Sequence, residues 1–231
     1  MANEASDYKR QAAERGAEFV QSGMVVGLGH GSTALFAVRR LAERIDEGGL
    51  KNIRGVPCSR FMGEEAERLG IPLTTLADHP VVDLTIDGAD EIDPQLNLIK
   101  GGGGALLREK IVAQASRREI IVADESKLVP ALGTNWAIPV EVTPFGWRPV
   151  LDYLTELGAE VAVRETELGS AFKTDHGNMI LDANFGRISE PLKLAARLDS
   201  RAAVVGHGLF LGLASDAIIA GPNGITHLVA E

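Results

Sequence analysis

Residues 84–110 gather the side chains best suited to chemistry. Asp87 and Asp90 stand three apart in the turn Asp87-Gly88-Ala89-Asp90-Glu91, Lys100 ends a second apolar run, four glycines follow at 101–104, and Glu109 lies in the helical stretch beyond. Crowded carboxylates disfavour joint ionisation, so one can keep a proton near neutrality and exchange it with hydroxyl groups. An acidic turn can also hold Mg²⁺ or Ca²⁺, but this spacing fails the D-x-[DN]-x-[DN]-G calcium loop. A third reading makes the acids solvated turn formers, which fits Asp93-Pro94; Asp87 differs because it ends the apolar run 81–86. Flexible linkers usually mix glycine with serine, whereas the run 101–104 lies between two apolar segments. Glycines reach positive φ and can turn their N–H groups into a concave nest. Beside a lysine, such a nest stabilises an oxyanion, as an enediolate requires. Spacing alone leaves Glu109 in solvent, paired with Arg108 or Lys110.

These groups need elements to hold them. Ser6 or Asp7 is a candidate cap for a first helix ending before Gly23. Residues 24–28 read as a buried strand, followed by Gly27-Leu28-Gly29-His30-Gly31-Ser32-Thr33-Ala34 and a helix over 35–45. Strand, glycine-rich turn and helix point unpaired N–H groups at an anion, although a tight turn with a capped helix explains the same residues. No lysine follows in Walker register, and Ala34 takes the last glycine of G-x-G-x-x-G. Further strands are expected at 53–56 and 71–76, with helices at 62–69 and 105–116 and a strand at 120–123. That alternation predicts a parallel sheet with helices on both faces, whose ligands gather beyond the carboxyl ends of the strands. Prolines 130, 139 and 144 mark a change of character. Beyond them the pattern predicts a helix to 157, strands at 160–164 and 172–174, a hairpin through Asp175-His176-Gly177-Asn178 into 179–183, and a helix over 190–198. The expected organisation is a Rossmann-like α/β domain, residues 1–130 plus 205–231, carrying a smaller α+β (ferredoxin-like) lobe at 131–204.

Composition bounds the partners. The 231 residues carry a formal net charge of −9, with 45% apolar and 24% charged residues and a single cysteine, Cys58. An acidic chain argues against nucleic acid and anionic membranes. It still permits a phosphorylated small molecule in a local positive pocket. One cysteine excludes an internal disulfide and offers no zinc cluster. The first ten residues lack the apolar core of a signal peptide, and no apolar run spans a bilayer, so a cytoplasmic location is expected.

Several motifs in register sharpen this. Asp87-Gly88-Ala89-Asp90-Glu91, Lys100-Gly101-Gly102-Gly103 and Arg108-Glu109-Lys110 resemble the A-type ribose-5-phosphate isomerases. So do residues 27–34, Ala123-Asp124-Glu125-Ser126-Lys127, Pro139-Val140-Glu141-Val142, Thr174-Asp175-His176-Gly177-Asn178 and Gly208-Leu209-Phe210. The resemblance implies interconversion of D-ribose 5-phosphate and D-ribulose 5-phosphate through a cis-enediol(ate), with no metal and no cofactor. It makes Glu109 the general base, and assigns hydroxyl protons to Asp87 and Asp90. Charge stabilisation falls to Lys100 with Gly101, Gly102 and Gly103. Substrate contacts fall to His30, Gly31, Ser32, Thr33, Gly88, Ala89, Lys127 and Lys9. It also implies a homodimer or homotetramer. Three departures stand out. His30 replaces a usual threonine, leaving its backbone N–H and an imidazole as donors; Gly104 replaces a common alanine, which would loosen the loop; and residues 58–63 lack a frequent threonine. A sugar-phosphate deaminase-isomerase, a coenzyme A transferase and a non-catalytic sugar-phosphate sensor are the alternatives.

Overall fold

A computed structural model describes residues 2–230. In chain order the elements are α1 (Ala2–Ala17), β1 (Val25–Leu28), α2 (Ser32–Asp46), β2 (Arg54–Pro57), α3 (Arg60–Arg68), β3 (Leu84–Asp87), β4 (Glu91–Ile92), β5 (Leu98–Ile99), α4 (Leu106–Ala115) and β6 (Glu119–Asp124). There follow β7 (Ile138–Val142), α5 (Trp147–Glu156), β8 (Glu160–Val163), β9 (Met179–Asn184), α6 (Pro191–Asp199), β10 (Val204–His207), β11 (Leu209–Phe210), β12 (Asp216–Gly221) and β13 (Gly224–Val229). The chain divides into two compact units, one of residues 2–89, 108–127 and 212–230, the other of 90–107 and 128–211. Residues 90–107, 128–130 and 205–211 thus group with the second unit, whereas the sequence pattern places them in the first.

The first unit is an α/β layer structure around a six-stranded sheet ordered β13-β12-β6-β3-β1-β2. All neighbours are parallel except the closing β12–β13 hairpin. Because successive side chains alternate between the faces of a strand, each strand serves two layers. Val26 and Leu28 of β1, and Leu84 and Ile86 of β3, join the core formed with α1 and α2. On the other face Val25, Val56, Cys58 and Val82 meet Val112 of α4. Gly27 lies on this second face, where a Cβ would fall 1.8 Å from Thr85 Oγ1 and 2.8 Å from Val112 Cγ1. A bare backbone there is what lets α4 settle onto the sheet.

The second unit holds a four-stranded antiparallel sheet, β10-β7-β9-β8, and a three-stranded one, β11-β5-β4. Val140 and Val142 of β7, Leu181 and Ala183 of β9, and Val150, Leu154 and Leu198 from α5 and α6 form its core. The α/β class with a smaller antiparallel α+β part therefore stands. Among the described residues, no helix is long and apolar enough to cross a membrane.

Three local expectations change. α1 begins well before Ser6 and Asp7, so both lie inside the helix rather than at its cap. The strand expected at 71–76 shrinks to one parallel bridge, Gly55 to Leu73, because Pro72 has no N–H to give a ladder. Its carbonyl still accepts from Gly55 N at 2.8 Å. Residues 172–174 also form no strand; the contact reduces to a bridge between Glu165 and Ala171, and β9 pairs instead with β7 and β8.

Two stability predictions follow from the first unit. Gly27→Ala should cost about 1–3 kcal/mol through overpacking against Thr85 and Val112, read as a lower urea midpoint. Asp216 is the second case. It accepts from Arg118 Nε at 2.7 Å and Nη2 at 2.8 Å and pairs with His227 at 2.6 Å. The hydrogen bonds from Arg118, opposed by burial and aided by His227, hold its carboxyl below the ordinary range. A depressed folded-state value stabilises the fold above the unfolded value and is lost as pH falls through the folded one. The wild-type advantage over Asp216→Asn should accordingly shrink as pH drops below about 4.

Candidate active site

In the first unit the candidate residues collect at one end of the sheet. The parallel order β2-β1-β3-β6-β12 reverses direction between β1 and β3, and ligand crevices in such sheets open beyond the strands' carboxyl ends at that point. Asp87 closes β3 there and is fully buried. Its Oδ1 accepts the backbone N–H of His30 at 3.0 Å and of Gly88 at 2.7 Å. Gly29 makes this approach possible, since a Cβ there would stand 2.3 Å from Asp87 Oδ1 and 2.5 Å from the Ile86 carbonyl oxygen. Gly27 and Gly29 are therefore fitted to β3 and α4, and the anion-binding potential of the loop lies further on. Gly31, at φ +106°, precedes α2 and supplies no side-chain cap. The first N–H groups of α2, from Ser32 and Thr33, carry the positive end of the helix.

His30 differs from its expected use. Its backbone N–H is committed to Asp87. Its imidazole ring is held by Ser59, with Nδ1 2.9 Å from Ser59 Oγ, and by the edge of Phe61 at a centroid distance of 5.9 Å. Ser59 also caps α3 by accepting from Met62 N at 3.0 Å. Residues 58–63 thus orient His30.

Glu109 is buried, only 4% exposed. The reason is helical phase. Glu109, Val112 and Ser116 lie at i, i+3 and i+7, one stripe of α4 and its end. Val112 faces Gly27, and Ser116 Oγ meets Thr85 Oγ1 at 2.7 Å. The stripe therefore points at the sheet face that carries Thr85 and, two residues on, Asp87. The end of α4 sits at the start of β3, where Val82 N donates to the Ala115 carbonyl at 2.9 Å. Seven residues back along the helix, about 10 Å, carries Glu109 toward the carboxyl end of β3. Spacing alone places Glu109 in solvent; the docking of α4 buries it.

Beyond β6, the neighbour of β3, residues 125–127 make a short 3₁₀ turn ending in half-buried Lys127. Asp124 fastens that turn by accepting from Ser126 N at 3.0 Å. Lys127, the loop 30–33 and Asp87 thus all follow the ends of adjacent parallel strands. Lys9 lies half-buried on α1, which packs against α2 and β6.

The second unit carries Asp90, Lys100 and the glycines. Asp90 Oδ2 accepts from Gly102 N at 2.7 Å, and Asp90 N donates to the Ile99 carbonyl at 2.8 Å. Lys100 is 2% exposed, its backbone N donating to the Gly208 carbonyl at 2.9 Å. The Lys100 ammonium lies 5.5 Å from the centre of the Phe210 ring. Residues 208–210 thus back the lysine strand. Gly104, at φ +82°, is a requirement rather than a loosening, because a Cβ would meet the Phe172 ring at 2.5 Å. Ala89 and Gly88 link the two acids and are half-buried.

Two acids of the turn have structural duties. Glu91 is 1% exposed and accepts from Gly133 N at 2.6 Å, Trp136 N at 2.9 Å and Asn135 N, so it anchors residues 133–136. Asp93 accepts from Gln95 N and Asn97 N, both at 2.9 Å, as a turn former does. Glu141 explains two further motifs at once. Buried, it accepts from Thr174 Oγ1 and Asn178 Nδ2, both at 2.9 Å, and locks the turn 174–178. Sequence reasoning passed over Arg164, whose guanidinium holds the carbonyls of Gly101 and Gly102 at 2.7 and 3.0 Å. Its only sequence signal is an arginine just after an edge strand.

Known proteins resemble this chain along nearly its whole length. The family model for Ribose 5-phosphate isomerase A (phosphoriboisomerase A) matches residues 54–224. The Ribose-5-phosphate isomerase A of Chloroflexus aurantiacus is 56% identical over 223 residues, 96% of this chain and 93% of that protein. That of Desulfatibacillum aliphaticivorans is 55% identical over 222 residues, 96% of each. The solved ribose 5-phosphate isomerase of Plasmodium falciparum superposes with a TM-score of 0.94 at 39% identity, over 97% of this chain and 98% of its own. A D-ribose-5-phosphate isomerase in complex with phospho-erythronic acid gives a TM-score of 0.95 at 35% identity, over 97% of this chain and 99% of its own. Matched along nearly its whole length in both sequence and fold, the chain belongs to the ribose 5-phosphate isomerase A family.

Proposed function

We propose that this protein interconverts D-ribose 5-phosphate and D-ribulose 5-phosphate, an aldose–ketose isomerisation of the non-oxidative pentose phosphate pathway. The observation that carries the reading is the burial of both Glu109 and Asp87, with Glu109 on the α4 stripe whose Val112 and Ser116 dock on Gly27 and Thr85. A carboxylate withheld from water and directed at one sheet face suits proton abstraction from carbon, which needs electrostatic help at the adjacent oxygen.

In the forward direction Glu109 removes the proton from C2 of the open-chain aldose. The C2–H electron pair forms the C1–C2 double bond, and the carbonyl π electrons move onto O1. Lys100 and the N–H groups of the glycine run stabilise that enediolate oxygen. Asp90 and Asp87 carry the proton from O2 to O1 and serve the opening of the sugar ring. Protonated Glu109 then returns its proton at C1, leaving a ketone at C2. Hydrogen moves as a proton throughout, so the scheme balances without an electron acceptor. Ser32 and Thr33 at the start of α2, with the His30 imidazole, Gly31, Lys127 and Lys9, hold the phosphate, while Gly88 and Ala89 line the sugar. The acidic composition fits a cytoplasmic enzyme that meets neither nucleic acid nor membrane, and the family resemblance favours a homodimer or homotetramer.

A transferase would acylate a glutamate, and a sensor would bind without turnover. Neither is favoured by relatives that share more than half their residues with this chain under the isomerase name. The test is incubation with ribose 5-phosphate and EDTA in D₂O. Ribulose 5-phosphate should form with deuterium entering at carbon; absence of product would overturn the proposal. Glu109→Gln should lower kcat by about 10³-fold while still binding substrate, as loss of a general base does. Near-wild-type turnover would remove Glu109 from the role.

A further inference from the structure

Behind the glycine run stands a side-chain pair to which the isomerisation scheme gives no part. Arg164, directly after β8, is 15% exposed and forks onto Asp182 of β9, with Nε to Oδ2 at 2.9 Å and Nη2 to Oδ1 as the second bond. The remaining terminal nitrogen, Nη1, donates to the carbonyl oxygens of both Gly101 and Gly102. Phe172, whose backbone N donates to the Arg164 carbonyl at 2.8 Å, presses its ring against Gly104.

We infer that Arg164, fixed by Asp182, is a positioning residue that aligns and polarises the Gly103 N–H for the enediolate oxygen and, through the Gly102 N–H, holds Asp90. The inference rests on the isomerase reading above. Its first support is geometric. In a trans peptide the C=O and the following N–H point in opposite directions. Two successive carbonyls drawn to one guanidinium therefore turn the next two N–H groups away from it together. One of them demonstrably does so, since Gly102 N–H reaches Asp90 Oδ2 on the far side of its peptide at 2.7 Å. Because the Gly102 carbonyl points at Arg164, the trans peptide turns the N–H of Gly103, an exposed residue, the same way. Its second support is electrostatic. A cation bonded to a carbonyl oxygen draws electron density through the amide and strengthens its N–H as a donor, the cooperative effect of chained hydrogen bonds. The chain Asp182–Arg164–peptide–Asp90 is thus continuous from an edge sheet to a carboxylate proposed to move protons. Gly101, at φ +105°, and Gly104, at φ +82°, are free to adopt whatever the arginine imposes. Asp90 and the bond from Gly104 N to the Gly101 carbonyl at 3.0 Å hold the run at other points, and Arg164 fixes two successive peptides.

Arginine is specific for this task. Its planar fork can bind a carboxylate on one edge and carbonyls on another, which a lysine ammonium cannot do with the same alignment. The test uses Arg164→Lys, Arg164→Ala and Asp182→Asn beside the wild type, with three readouts: kcat and KM for ribose 5-phosphate, affinity for inorganic phosphate, and affinity for phospho-erythronate. Its carboxylate mimics the enediolate oxygens. Losing an oxyanion-stabilising donor costs about 10²–10³-fold in kcat, so misaligning the Gly103 N–H should cost Arg164→Ala about 10²-fold and Asp182→Asn about tenfold. Phosphate affinity should stay unchanged, phospho-erythronate should weaken in step with kcat, and millimolar guanidinium should restore part of the turnover of Arg164→Ala. If that variant does not fold, Arg164→Lys and Asp182→Asn carry the same comparison. Unchanged kcat, or parallel losses in kcat and phosphate affinity, would overturn the inference. A wild type inactive toward ribose 5-phosphate would instead sink the isomerase reading on which it rests.

Discussion

The rest of the first unit depends on the parity of β3. Because side chains alternate along a strand, burying Leu84 and Ile86 under α1 and α2 obliges Thr85 and Asp87 to face α4. A carboxylate on a covered face must find donors, as an unsatisfied buried polar group is costly. Asp87 takes the N–H groups of His30 and Gly88, and so ties the loop after β1 to the end of β3. Gly29 exists to let that happen, and Gly27, one pleat earlier on the same face, lets Val112 of α4 in. The glycine turn that looks like an anion cradle is in large part a device for seating a strand and a helix. Its remaining N–H groups, at the start of α2, are what is left over for a ligand.

The second unit meets a related problem by other means. A run of four glycines has little conformational preference of its own, so its shape must be imposed from outside. Asp90 holds it by an N–H, Arg164 by two carbonyls and Phe172 by contact with Gly104. Lys100 is set by the β5–β11 pairing and by the hydrogen bond to Gly208. Buried carboxylates elsewhere in the unit are spent on loops. Glu91 collects three N–H groups of residues 133–136, and Glu141 locks the turn 174–178. Acidic residues of similar sequence context therefore fasten different segments: Glu91 and Glu141 hold loops of the second unit, Asp87 the loop after β1 and Asp90 the glycine run.

Much of this division was written in the sequence. The alternation of short apolar runs with amphipathic helices, the glycine turn after the first strand and the acid at the end of the third are all local patterns. They determined the α/β class and the candidate set Asp87, Asp90, Lys100 and 101–104. Local pattern failed where a partner distant in sequence decides. Pro72 cannot donate to a ladder, so an apolar stretch became a single bridge. Residues 172–174 carry strand-like side chains, but β9 finds its neighbours in β7 and β8.

Glu109 and Arg164 mark the boundary most clearly. Glu109 sits among charged neighbours in a helix whose inward stripe includes a carboxylate and a serine, so apolar periodicity gives it no inward phase. Only the docking of Val112 on Gly27 and of Ser116 on Thr85 sets that phase and buries it. Arg164 is one arginine after an edge strand until the fold brings Asp182, 18 positions on, and two glycine carbonyls, more than sixty positions back, within hydrogen-bond reach. Sequence by itself determined which residue types were available and which strand ends would present them. Tertiary structure decided which charges are withheld from water and which backbone dipoles they align, because burial and hydrogen-bond direction arise only when distant segments pack.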